Sequence, residues 1–132
     1  MSKVTGVDDY VYKSAEELEA LSISILSAMG CDEETARFVA FHLVDADIKG
    51  VESHGVMRLI QYVGQAGEGY FQPGARPKLK ANDQGAWLVD GEGGFGMPAL
   101  NLAVDTAVTQ AKKQGICAVG VMNCGHTGRL GA

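Results

Sequence analysis

Apolar residues recur at helical spacing through the first half of the chain. Leu18, Leu21 and Ile25 share one face of a segment that opens with the capping-box pair Ser14 and Glu17 and stops at Gly30, which predicts a helix over 14–29. Asp32 opens a second helix. Glu33 and Glu34 sit at the positive end of its dipole, and Ala36, Val39, Ala40, Leu43 and Val44 supply the apolar face as far as Gly50. Val56, Leu59, Ile60 and Val63 then form an i, i+3, i+4, i+7 stripe, with Ser53 as N-cap and an end among the glycines of 64–69. At about 100° per residue this stripe centres roughly 190° from His54, and Arg58 lies about 40° from His54, so both polar groups are expected to turn away from the packed face.

The texture changes at Pro73 and Pro77. Beyond them, residues 78–81 and 86–90 flank the turn-like Asn82-Asp83-Gln84-Gly85 and predict a hairpin. Pro98 suits the first position of a helix running to Gln114, with Leu102, Ala103 and Ala107 for burial and Gly115 as the stop. Residues 116–122 read as a short buried strand. The predicted class is α/β (α+β), with a helical domain over 1–72 and the beginning of a second domain over 73–132.

Composition narrows the function. A length of 132 residues with 46% hydrophobic content is that of one ordinary globular domain. The net charge of -5, with no Lys/Arg stripe, argues against a nucleic-acid partner. No apolar run approaches a membrane span, and the start at Met1-Ser2-Lys3 has no signal-peptide core, so a cytoplasmic protein without a membrane partner is expected. Cys31, Cys117 and Cys124 are odd in number and contain no Cys-x-x-Cys pair, which favours free thiols. Eighteen glycines, most of them after residue 50 and at segment ends, suit a binding site.

Three segments could carry chemistry. Ser53-His54-Gly55-Val56-Met57-Arg58 sets an imidazole and a guanidinium four residues apart, a pair able to move a proton and hold a carboxylate. Gly91-Glu92-Gly93-Gly94-Phe95-Gly96 satisfies the G-x-G-x-x-G fingerprint between a strand and a helix. That fingerprint also needs an acidic residue about 20 positions on, at the end of the next strand. Asp105 falls inside the predicted helix instead, so a glycine-rich turn is the better reading. The third segment, Asn123 to Gly131, is a polar loop directly after a strand, where His126 could act as a general base and Gly125 and Gly128 could approach a cofactor closely. From spacing alone, His126 is equally readable as a structural histidine. Cys124, His126 and His54 lack zinc-ligand spacing, so no metal is expected, and His42 reads as structural.

Taken together, Asp45, the Gly50 to Leu59 stretch with its Ser-His-Gly and Arg58, the Val89-Asp90-Gly91 strand end and the Gly115-Ile116 to Asn123-x-x-His126-x-Gly128 segment resemble the type 2 malate/L-lactate dehydrogenase family. That family includes ureidoglycolate and sulfolactate dehydrogenases and cyclic imine reductases. The resemblance implies an oxidoreductase using NAD or NADP on a cofactor domain that is not a Rossmann fold and has a mixed or antiparallel sheet. It implies His126 as proton acceptor, Ser53 and His54 as a proton relay, and Arg58 as the holder of a substrate carboxylate. It places His126, Thr127, Gly128, Arg129 and Leu130 against the cofactor.

The substrate class is then a 2-hydroxy or 2-oxo acid such as malate or lactate, with reduction of a cyclic imino acid as the alternative. A small-molecule carboxylate is the expected partner, with a homodimer when full length. Family members are much longer, which implies an N-terminal fragment with little activity of its own. The competing class is a non-enzymatic helical interaction module, in which Ser53-His54 is a helix start and Arg58 a solvated charge.

Overall fold

The computed structural model describes residues 11–81 and 86–130. The capping predictions for the first two helices hold. The Glu17 N–H donates to Ser14 Oγ at 3.1 Å and the Ser14 N–H donates to Glu17 Oε2 at 2.9 Å, opening α1 (Ala15–Ala28). The Thr35 N–H donates to Asp32 Oδ1 at 3.0 Å, opening α2 (Glu33–Ile48). Helix α2 buries Ala36, Val39, Ala40, Leu43 and Val44 as expected, and Ala46 as well. In α1 the buried pair is Ser22 and Leu26, whereas Leu21 is exposed. Ser22 tolerates burial because its hydroxyl donates to the Leu18 carbonyl at 2.6 Å.

The third helix departs from the sequence reading. Ser53 does not cap it: residues Glu52–His54 form a 3-10 turn, and α3 (Arg58–Gly67) begins five residues after Ser53. The cause lies in the last turn of α2. Asp47 Oδ2 accepts the Val56 N–H at 2.8 Å, and the same carboxylate occupies the space where a side chain on Gly55 would stand. The chain is thus pinned to α2 before α3 can start. Helix α3 packs through Leu59 and Tyr62, with Ala66 partly buried behind them, and the predicted stripe fails because Ile60 is 82% and Val63 48% exposed. An aromatic ring placed three residues after Leu59 can reach Phe71 and Phe95, which Ile60 and Val63 cannot.

Three strands follow, in the order β1-β2-β3. β1 (Lys78–Ala81) is antiparallel to β2 (Trp87–Asp90), with Lys78 opposite Asp90, as a hairpin requires; the predicted turn at 82–85 lies outside the described residues. β2 is parallel to β3 (Val119–Met122), with Asp90 opposite Met122. A parallel pair needs a crossover, and α4 (Gly96–Gln114) supplies it. Helix α4 begins two residues before Pro98, still within the first turn, where a missing N–H costs nothing, and it ends on Gly115 at φ 90°. The expected buried strand over 116–122 shrinks to four alternately half-buried and exposed residues, and Ile116 is 82% exposed. The reason is position: β3 is an edge strand among the described residues, and of its residues Val119 and Val121 pack toward Val89, Ala99 and Ala103.

The main core joins Leu26, Val39, Leu43, Leu59 and Tyr62 of the helices to Phe71, Phe95 and Met97, so its packing runs across position 72. Among the described residues, no helix is long and apolar enough to cross a membrane.

Candidate active site

Two loops are laced together at the carboxyl ends of β2 and β3. The Gly91 N–H donates to the Met122 carbonyl at 2.8 Å, Gly93 to Asn123 at 2.7 Å, Gly125 to Gly94 at 2.8 Å and Gly96 to His126 at 3.1 Å. A Cβ on Gly91 would lie 2.5 Å from Cys124 Cβ, and one on Gly96 would lie 2.5 Å from the Gly125 oxygen. Gly91 and Gly96 are therefore needed for backbone approach. Gly91, Gly93 and Gly96 spend their N–H groups on protein carbonyls, which removes the donors that a dinucleotide phosphate would take. Asp105 lies within α4. The glycine-rich turn is thus a support for the His126 segment.

That segment reaches the start of α3. His126 Nδ1 lies 2.7 Å from Tyr62 Oη, and its ring centroid is 5.3 Å from that of His54. His54 Nδ1 lies 3.0 Å from Ser53 Oγ, the contact a proton relay needs. Arg58 Nε donates to the Ser53 carbonyl at 2.6 Å and its Nη1 donates to Gln61 Oε1 at 2.6 Å. The structure so brings together Ser53, His54, Arg58 and His126, residues up to 73 positions apart. The His126 Nε2 atom is buried without a hydrogen-bond partner among the described residues. Burial first, then the nearby Arg58 guanidinium and His54, hold the His126 imidazole below the usual histidine range.

His126 borders an open cleft of about 730 Å³ together with Gln61, Gln65, Phe71, Asp90 and Asn123. Asp90 accepts from Lys80 Nζ at 2.6 Å, from the Glu92 N–H at 2.9 Å and from Asn123 Nδ2 at 3.2 Å. The Lys80 bond foremost, with the Glu92 N–H, pulls its carboxyl to about 2, so its charge is fixed and balanced. Sequence reasoning missed two residues here. Tyr62 follows Arg58 by four positions, and that helical spacing was the available signal. Asp47 gave none, because its role is to meet a backbone N–H nine residues on.

The remaining residues of the third segment diverge. Gly128 is buried at φ 77° beside Met97, Thr127 stands over Gly96, and Leu130 is exposed. Arg129 Nη2 donates to Asp45 Oδ2 at 2.6 Å, and Asp45 also takes Lys49 Nζ at 2.9 Å, so Arg129 clips the loop onto α2. Among the described residues no three His, Cys, Asp or Glu side chains gather as a metal site would need.

The family model for malate/L-lactate dehydrogenase matches residues 13–132. The malate dehydrogenase of Pyrococcus abyssi is 36% identical over 124 residues, covering 94% of this chain and 34% of that protein. A Δ1-pyrroline-2-carboxylate/Δ1-piperideine-2-carboxylate reductase of Pseudomonas putida is 34% identical, over 86% of this chain and 33% of that one. In three dimensions the sulfolactate dehydrogenase of Methanocaldococcus jannaschii superposes with a TM-score of 0.81 at 32% identity, covering 89% of this chain and 34% of that one. The chain spans about a third of the length of the relatives it matches. A model match over this much of the sequence, joined to the Ser-His, Arg and second-histidine cluster seen in space, places the chain in the malate/L-lactate dehydrogenase family.

Proposed function

We propose that this chain forms the acid-binding and proton-transfer wall of an oxidoreductase that interconverts a 2-hydroxy acid and its 2-oxo acid with NAD or NADP. The observation that carries this reading is the unpartnered His126 Nε2, buried at the cleft beside Arg58. A buried imidazole nitrogen with no structural partner is poised for a proton, and the guanidinium beside it holds the carboxylate of an acid substrate. With Nε committed to Ser53 and Nη1 to Gln61, Nη2 is the guanidinium nitrogen without a hydrogen bond among the described residues, and it is the one offered to that carboxylate.

Anchored there, the neighbouring carbon is oriented and the hydroxyl proton passes to His126 Nε2 in oxidation and returns in reduction. Ser53 and His54 lie alongside as a relay, and the buried Nε2 without a partner among the described residues favours His126 as the direct acceptor. A bound nicotinamide dinucleotide supplies the hydride chemistry. Thr127, Gly128 and Leu130 are the residues offered to it, while Arg129 acts through its hold on Asp45.

The same arginine would hold a cyclic imino acid, and the reductases among the relatives keep that second reading in play. We further propose a cytoplasmic homodimer acting on a small carboxylate, with neither nucleic acid nor membrane as partner. A steady-state panel of oxaloacetate, pyruvate and a cyclic imino acid with NADH and NADPH tests the reading in the full-length protein. Arg58→Ala is expected to cost on the order of 10²-fold in kcat/KM, mainly through KM, as the loss of a charge-assisted pair of about 3 kcal/mol implies. His126→Ala is expected to lower kcat by about 10²-fold or more. Turnover unaffected by either change would restore the interaction-module reading.

A further inference from the structure

The phenol of Tyr62 is 2% exposed, and its one hydrogen bond among the described residues is the 2.7 Å contact with His126 Nδ1. We propose that Tyr62 is a positioning residue that holds His126 in the Nδ1–H form, with the buried Nε2 left bare as the atom that exchanges the proton. This rests on the proposed role of His126.

The ring has two nitrogens, and whichever one carries the proton leaves the other as acceptor. If the phenol donated to Nδ1, the neutral ring would carry its proton on Nε2 and could not accept another there. With Nδ1–H donating to Tyr62 Oη, Nε2 is a base. When Nε2 then takes a proton, Nδ1 keeps its own, and the phenol oxygen accepts the same bond before and after transfer. One contact thus serves both charge states.

The anchor is itself rigid. The Tyr62 ring packs edge-on against Phe95 at 5.3 Å and tilted against Phe71 at 6.2 Å, and Phe71 meets Phe95 at 4.5 Å. Burial raises the phenol above the usual tyrosine range, so it stays un-ionised and acts as a dipole rather than as a proton source. The charged and titratable groups facing His126 are Arg58 of α3 and His54 of the 3-10 turn. Both disfavour the imidazolium, which makes an acceptor at Nδ1 worth more.

Tyr62→Phe keeps the ring and removes the acceptor. In nitrogen-15 spectra of the histidine rings, with His126 identified by its absence in His126→Gln, the parent protein is expected to show the Nδ1–H form alone. Tyr62→Phe should mix both tautomers and shift the His126 titration to lower pH. In turnover, Tyr62→Phe should lose about tenfold in kcat with KM changed less than threefold. Tautomer and titration unchanged in Tyr62→Phe would overturn the proposal whatever the activity. If the spectra change while the parent protein turns over no acid or imine, the positioning of His126 stands and the dehydrogenase reading falls. Should Tyr62→Phe unfold, Phe95→Leu, which loosens the ring stack but leaves the phenol, must keep the Nδ1–H form, and a mixed population there would count against the proposal.

Discussion

At the scale of single residues, the proposed active centre turns on one imidazole whose two nitrogens have different fates. Nδ1 is spent on Tyr62 and Nε2 is kept bare, while burial, Arg58 and His54 all oppose a proton there. The unfolded chain holds a histidine near pH 6.5, and folding lowers that value, so between the two values the unfolded state binds more protons. The contribution to stability is therefore complete above about pH 6.5 and declines as pH falls from there to the folded value. His42 is also lowered by burial, so the test is differential. Urea midpoints of the parent protein should fall more between pH 7.5 and 5.5 than those of His126→Gln. Equal slopes would show that His126 is not strained in its neutral form. In turnover, the acidic limb for hydroxy-acid oxidation is expected below pH 6.5, since the working form is the unprotonated one.

Among the elements, the decisive one is the short turn between α2 and α3. Asp47 gathers the Val56 N–H and fills the space over Gly55, so this carboxylate fixes where α3 begins and where Ser53, His54 and Arg58 stand. Burial raises its pKa above the usual aspartate range, with Glu52 adding to the rise and the Val56 N–H opposing it. Asp47→Ala leaves that N–H unmet and is expected to cost roughly 1–3 kcal/mol in a denaturant titration, whereas Asp47→Asn should recover most of it through its remaining acceptor oxygen. Loss confined to activity, with stability intact, would show that the turn is held by other means.

Helices α1, α2 and α4 were legible because their signals are local: a capping box, an acidic first turn, a terminal glycine. The start of α3 was not, since a side chain from another helix decides it, and Ser53, a plausible cap by spacing, is drawn instead to His54. The cluster of His54, Arg58 and His126 was legible as two segments, but only the laced loops explain how they meet. Tyr62 escaped notice because its phenol answers a residue 64 positions away.

For the molecule as a whole, the sheet is unfinished on its outer side among the described residues. β3 pairs with β2 alone, and Met122 on it and Ile116 shortly before it are exposed, as are Val104 and Val108 of α4. An uncovered strand edge beside apolar surface recruits further strands. The 132-residue polypeptide is therefore expected to associate as its concentration rises, measured by light scattering, and Met122→Lys should suppress this. Association that ignores Met122→Lys would place the contact elsewhere.

The lacing of the glycine turn to the His126 segment also bears on how such an enzyme can diversify. Gly91, Gly93, Gly96 and Gly125 are each bound to a carbonyl across the gap, and a side chain added at Gly91 or Gly96 would collide with the opposite loop and displace the His126 ring along with it. The opposite bank of the cleft carries no such obligation. Gln65, half-buried, and Tyr70, exposed, line it with side chains that make no hydrogen bond among the described residues, whereas Gln61 holds Arg58 Nη1. Under the proposed function, exchange at Gln65 and Tyr70 is therefore expected to change substrate preference while the strip that carries His126 stays fixed, which separates positions free to vary from those tied to the proposed chemistry.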